Sequence, residues 1–193
     1  MATTTESTAP VGDEVARNLA RAAVLAALTG AFAYVSFPNP VSPAPVTLQV
    51  LGVFLAGIML GPAWGAASMG LYLLAGALGA PVFAGGGAGV GALFGATGGY
   101  LWSYPVAAGV IGAAVHRGVA LRDLEAVSLP VLVGAMTVGT AVVYAFGIAG
   151  LMLVLGMGPV EAFGAGAAAF IPAEAFKIAA AVGVVRSDEI AAV

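Results

Sequence analysis

Polar and apolar positions fall into long blocks along the chain. No Asp, Glu, Lys or Arg occurs between residues 22 and 116, and a second charge-free run covers residues 126–160. A membrane-spanning helix needs about 20 predominantly apolar residues, so the first run has room for about four spans and the second for one. A further apolar segment around Lys177 makes six. The breaks place them at about residues 19–37, 46–60, 63–78, 99–115, 129–151 and from Pro172 to about 185.

Each break has its own chemistry. Residues 36–45 read SFPNPVSPAP, and four prolines in ten residues predict a stiff, extended loop rather than a span. Gly61-Pro62-Ala63-Trp64-Gly65 predicts a short turn. Residues 79–100 read GAPVFAGGGAGVGALFGATGGY, with nine glycines. Glycine at that density interrupts helices and allows close backbone approach to a ligand. Non-helical backbone at membrane depth is tolerated only where it is buried in protein or lines a cavity. The expectation is a re-entrant loop capping a pocket; a plain external loop is the alternative. Residues 116–125 carry His116, Arg117, Arg122, Asp123 and Glu125 and look like a solvated loop. Residues 159–171 are apolar but short, as for a helix lying at the membrane surface.

Composition agrees with the blocks. Of the 193 residues, 61% are hydrophobic and 8% charged, with a mean hydropathy of +1.07. Soluble domains carry roughly 25% charged residues, so a soluble domain is excluded. There is no cysteine, hence no disulfide or thiol chemistry. The start of the chain is polar and Thr-rich, without the basic-then-apolar order of a cleaved signal peptide. Residues 1–17 are therefore expected to form a disordered acidic and polar tail, and residues 18–190 a single transmembrane domain.

The basic residues orient the spans. Arg17 and Arg21 precede the first, Arg117 and Arg122 lie between the fourth and fifth, and Arg186 follows the sixth. With six spans all five arginines fall on one side, which the positive-inside rule makes cytoplasmic together with both termini. The Pro-rich loop, the Gly-rich loop between helices 3 and 4, and the start of the last span then face outward. The fold class is an all-α membrane protein of six transmembrane helices in a multi-pass plasma-membrane setting, in contact with lipid and with no feature suited to nucleic acid.

The candidate chemistry sits at the start of the last span. Phe170-Ile171-Pro172-Ala173-Glu174-Ala175-Phe176-Lys177 holds the only lysine. Pro172 suits the first turn of a helix, Glu174 complements the helix dipole there, and the i, i+3 spacing lets Glu174 and Lys177 pair on one face. Such a pair within a membrane segment faces the bundle interior or a cavity. Lys177 lies nine residues before Arg186, roughly 13 Å of helix rise. As the only cation available to an outward pocket, it suits a ligand carboxylate. Glu174 either holds the lysine or accepts N–H bonds from a neutral polar ligand. Gln49, beside Thr47, either lines the site or satisfies nearby backbone. Tyr100, Trp102 and Tyr104 mark an interface or offer flat faces to a ring-shaped ligand. On the first span, Ala22 with Ala26 and Ala23 with Ala27 form small-xxx-small pairs, for internal packing or for docking a partner.

Four segments carry a family resemblance. Val46-Thr47-Leu48-Gln49-Val50-Leu51-Gly52-Val53, Gly79-Ala80-Pro81-Val82-Phe83-Ala84-Gly85-Gly86, Gly95-Ala96-Thr97-Gly98-Gly99-Tyr100-Leu101 and the Phe170–Lys177 stretch resemble the BioY family in order. These are biotin-specific substrate-binding subunits, or S-components, of energy-coupling factor (ECF) transporters. The resemblance implies a non-enzymatic, cofactor-free six-helix protein that binds biotin from outside. Uptake would be driven by a membrane coupling subunit and two cytoplasmic ATPases. It also implies docking of the coupling subunit on the Ala22/Ala26 or Ala23/Ala27 strip. Glu174 and Lys177 match the family's acid and lysine, though the acid there is usually Asp. The GPTGGY pattern reads GATGGY here, with Ala96 in place of Pro. Candidate ligand-binding residues are Lys177, Glu174, Tyr100, Gly98, Thr97, Gly86, Gly87, Phe83 and Gln49.

The residues also bear on two other functions. A stand-alone proton- or ion-coupled transporter for a small carboxylate or vitamin would use Glu174–Lys177 as a relay, and inverted repeats would favour it. An intramembrane enzyme lacks paired His ligands, a nucleophile–base pair and paired catalytic carboxylates.

Overall fold

The computed structural model describes residues 11–187. Its helices are α1 (Val11–Phe32), α2 (Gln49–Ala77), α3 (Val90–Leu93), α4 (Gly98–His116), α5 (Leu129–Leu155), α6 (Pro159–Gly166) and α7 (Ile171–Val185). Two short strands, β1 (Ser36–Phe37) and β2 (Val46–Thr47), lie between α1 and α2. Single 3-10 turns follow at Ala84–Gly86 and Ala168–Phe170. Among the described residues four segments are long and apolar enough to cross a membrane: Gly12–Phe32, Gln49–Ala77, Leu129–Leu155, and Pro159–Val185 taken through α6 and α7.

α2 is the centre of the bundle. In its apolar window 67% of residues are buried, against 28% in each of the other three segments. It is broken where the sequence predicts a turn: Gly61 has φ 74° and ψ −174°, and Pro62 follows. Glycine enters that region without a Cβ clash, and proline begins the next helix without needing an N–H partner. The arms 49–60 and 62–77 then fold back on each other. A Cβ on Gly65 would lie 2.8 Å from the Ala56 carbonyl oxygen, so only glycine permits this approach. α4 crosses the break, with Gly112 against the backbone of Gly61 and Pro62.

The break leaves carbonyls at the end of the first arm without helical partners. His116 supplies one: its Nε2–H donates to the Ile58 carbonyl at 2.8 Å, while Nδ1 accepts the Arg122 N–H at 3.0 Å. His116 is thus buried, which corrects its expected place in a solvated loop. Arg186 closes the same end, donating to the carbonyls of Leu124 (3.1 Å), Glu125 (3.2 Å) and Val127.

Three further expectations change. α1 begins at Val11, so residues 11–17 are helical rather than a disordered tail; Asp13 and Glu14 in the first turn complement the helix dipole. Residues 1–10 and 188–193 lie outside the described residues. The Pro-rich loop is an antiparallel hairpin pairing Ser36 with Thr47 and Phe37 with Val46, and α2 starts at Gln49 rather than Val46. Its prolines sit in the connection, where no ladder N–H is needed.

α1 packs on both arms of α2. The Ser68 hydroxyl donates to the Ala22 carbonyl at 2.7 Å, and Gly52 admits Thr29. Ala22 and Ala26 are consequently buried, so this half of the expected docking strip is internal packing. Ala23 and Ala27 lie on the exposed side.

Candidate ligand-binding pocket

Chain reversals bring the Pro-rich hairpin, the Gly-rich segment and the starts of α4 and α7 to one end of the bundle. A cavity of about 710 Å³, part of it open to solvent, lies among them.

Its charged wall is α7. Pro172 opens the helix, and the next turn presents Glu174 and Lys177 on one face. Lys177 Nζ donates to Glu174 Oε1 at 2.5 Å, the only ion pair among the described residues. The residues are 3% and 5% exposed respectively, so neither charge is solvated. Glu174 Oε2 is buried without a hydrogen-bond partner. Ion pairs this deep are favourable only when further hydrogen bonds satisfy the remaining atoms. The pair therefore offers a bound molecule one free carboxylate acceptor beside the ammonium's remaining donors.

Another part of the lining is a network around Gln49. Its Oε1 accepts the Thr47 hydroxyl at 2.8 Å, and its Nε2 donates to the Tyr72 hydroxyl at 2.5 Å. Tyr72 in turn donates to the Val82 carbonyl at 3.0 Å. One side chain thus ties the hairpin, both arms of α2 and the Gly-rich segment together while lining the cavity. Of the two roles considered for Gln49, it lines the cavity, while its side chain bonds side chains rather than nearby backbone.

Aromatic rings complete the enclosure. Phe83 packs edge-on to Tyr72 with centroids 5.6 Å apart, and its ring occupies the space a Cβ on Gly76 would need. Tyr100 sits against Gly147 in the same way, its hydroxyl donating to the Gly166 carbonyl at 2.7 Å. Glycines in α2 and α5 are thus what seat the two rings.

The Gly-rich segment is folded. Phe83 pairs with Gly87 around the 3-10 turn, and Gly85 and Gly86 take φ 66° and 79°. Among the sequence candidates, Lys177, Glu174, Tyr100, Thr97, Gly87, Phe83 and Gln49 line the cavity. Gly86 and Gly98 do not. Gly86 has open space around it, and Gly98 is buried against the Leu93 carbonyl, letting α3 fold onto α4.

The cavity also takes in Tyr104, Tyr144 and Phe170. Tyr104 stood in the sequence only as one of three aromatics, and Phe170 only within a quoted segment. Tyr144 was missed, although a lone tyrosine within the charge-free run 126–160 is a signal of its own. Among the described residues no group of three or more His, Cys, Asp or Glu gathers as a metal site.

Comparison with known proteins gives a consistent result. A sequence model described as the BioY family matches residues 2–191. A biotin transporter BioY from Rhodobacter capsulatus is 38% identical over 170 residues, covering 84% of this chain and 87% of the relative. Another, from Rhizobium etli, is 38% identical over 136 residues, covering 70% and 72%. A crystal structure described as the S-component for biotin from an ECF-type ABC transporter superposes with a TM-score of 0.82 at 24% identity, over 92% of this chain and 93% of that one. At that identity the likeness speaks for the fold.

Proposed function

The chain belongs to the BioY family, and from that premise we propose that it binds biotin and serves its uptake as the S-component of an ECF transporter. The buried Glu174–Lys177 pair, with one carboxylate oxygen unpartnered, is the feature that supports this most. The pair reads one end of the ligand, because its two ends of opposite charge are 2.5 Å apart. A cyclic urea presents N–H and C=O side by side, so it meets Glu174 Oε2 and the Lys177 ammonium together. A carboxylate at Lys177 would instead lie against the free oxygen of Glu174. The head of biotin is therefore assigned to the pair, in place of the carboxylate contact that a lone lysine suggested. The Gly-rich segment closes over the ligand as a lid.

In the membrane, α1, the two arms of α2, α4, α5 and α7 make six crossings. Arg17, Arg21, Arg117, Arg122 and Arg186 lie at the ends remote from the pocket, and the positive-inside rule supports a reading with both termini in the cytoplasm and the pocket open outward at the plasma membrane. In this reading energy comes from a coupling subunit and two ATPases, the partners that the S-component role calls for; the sequence itself carries no phosphate-binding loop. The exposed side of α1 carries Ala16, Ala20, Ala23 and Ala27 and is the surface for the coupling subunit.

Competition binding with biotin methyl ester tests the orientation. The ester keeps the urea and is expected to compete within about tenfold of biotin, or 1.4 kcal/mol. A loss above about a hundredfold, restored to parity in Lys177→Ala, would put the carboxylate at Lys177 instead.

A further inference from the structure

Among the described residues three buried side-chain oxygens lack a partner: Thr140 Oγ1, the Tyr144 hydroxyl and Glu174 Oε2. Glu174 is taken up by the contacts above, and Thr140 does not line the cavity. Tyr144 does. Its ring rests on Phe170 with centroids 6.4 Å apart, and Phe170 is buried. A phenylalanine would make that contact without burying a hydroxyl, whose unmet hydrogen bond costs about 1–3 kcal/mol. The hydroxyls of Tyr72 and Tyr100 are spent on the Val82 and Gly166 carbonyls, so they hold the fold rather than face a ligand.

The ligand has a matching need. A urea carries two N–H donors and an oxygen with two lone pairs, and each left unpaired on burial is costly. Glu174 Oε2 and Lys177 satisfy only part of that set. Building on the biotin reading, we propose that Tyr144 is a specificity-determining residue whose hydroxyl hydrogen-bonds the urea head of the ligand. It is a third polar contact, supplied by α5 to the cavity that the pair on α7 also lines. The orphaned hydroxyl is then a vacancy that the right ligand fills, and ligands without a hydrogen-bonding head leave it unpaired.

Tyr144→Phe tests this, with Thr140→Val as a control that removes an orphan hydroxyl outside the lining. Both purified variants should unfold at or above the temperature of the unaltered protein, since each sheds an unsatisfied buried group. Tyr144→Phe should weaken biotin about tenfold and desthiobiotin, which keeps the urea and lacks the sulfur, by the same factor. Thr140→Val should leave both affinities unchanged. Unchanged biotin affinity in Tyr144→Phe, or a loss confined to biotin, overturns the urea contact. The unaltered protein and Lys177→Ala are titrated alongside. If the former binds biotin and the latter does not, failure at Tyr144 leaves the biotin reading standing. Absence of binding by the unaltered protein removes both.

Discussion

Lys177→Ala is expected to weaken biotin binding at least tenfold in the purified protein. The ammonium is buried, and its free donors face a cavity with no other cation in its lining. Hydrogen bonds from a charged donor contribute roughly 1.5–3 kcal/mol, which corresponds to ten- to a hundredfold in affinity. The same change strips Glu174 of its partner at 2.5 Å. Breaking a buried pair costs about 3–5 kcal/mol of stability, so thermal unfolding of this variant should also fall. The double variant Glu174→Gln with Lys177→Met separates the two effects. It leaves no uncompensated charge, so stability should recover while binding stays lost. Recovery of binding along with stability would show that the pair serves folding rather than the ligand.

Ala27→Trp, and likewise Ala23→Trp, is expected to abolish biotin uptake in cells and co-purification with the coupling subunit, while the isolated chain still binds biotin. Helices in lipid approach closely only across small side chains, and an indole holds them apart. Both alanines are exposed on α1, so nothing inside the protein is displaced. Ala22→Trp is the contrasting case. Ala22 is fully buried and its carbonyl accepts the Ser68 hydroxyl, so a bulky side chain there should destabilise the bundle itself. If Ala27→Trp retains partner and uptake, the coupling subunit docks elsewhere. Retained partner with lost biotin binding would make this face part of the fold.

What was legible in the sequence was local. Gly61-Pro62 marks the break in α2 because the two residues fix their own backbone angles. Glu174 and Lys177 meet because their spacing fixes a shared helix face. Where the sequence misled, a contact between distant segments decided the outcome. Ala22 and Ala23 are both small, and only the packing of Ser68 on α2 says which side turns inward. His116 looks like a loop residue until the break at Gly61 frees the Ile58 carbonyl beneath it. Two-residue strands flanking four prolines leave no periodicity to read. Tyr144 and Phe170 reach the cavity from α5 and from the turn before α7, helices whose relative rotation no short motif encodes. Gly98 shows the converse: it belongs to a segment that resembles a ligand-binding motif, yet its lack of a side chain serves the fold of α3 onto α4.

The most direct measurement is equilibrium titration of the purified chain, without partner subunits, against biotin, riboflavin and thiamine. Tight one-to-one binding of biotin alone, abolished in Glu174→Gln with Lys177→Met, is the expected result. Equal or preferred binding of another vitamin, or biotin binding that survives loss of the pair, would contradict the assignment of this pocket to biotin.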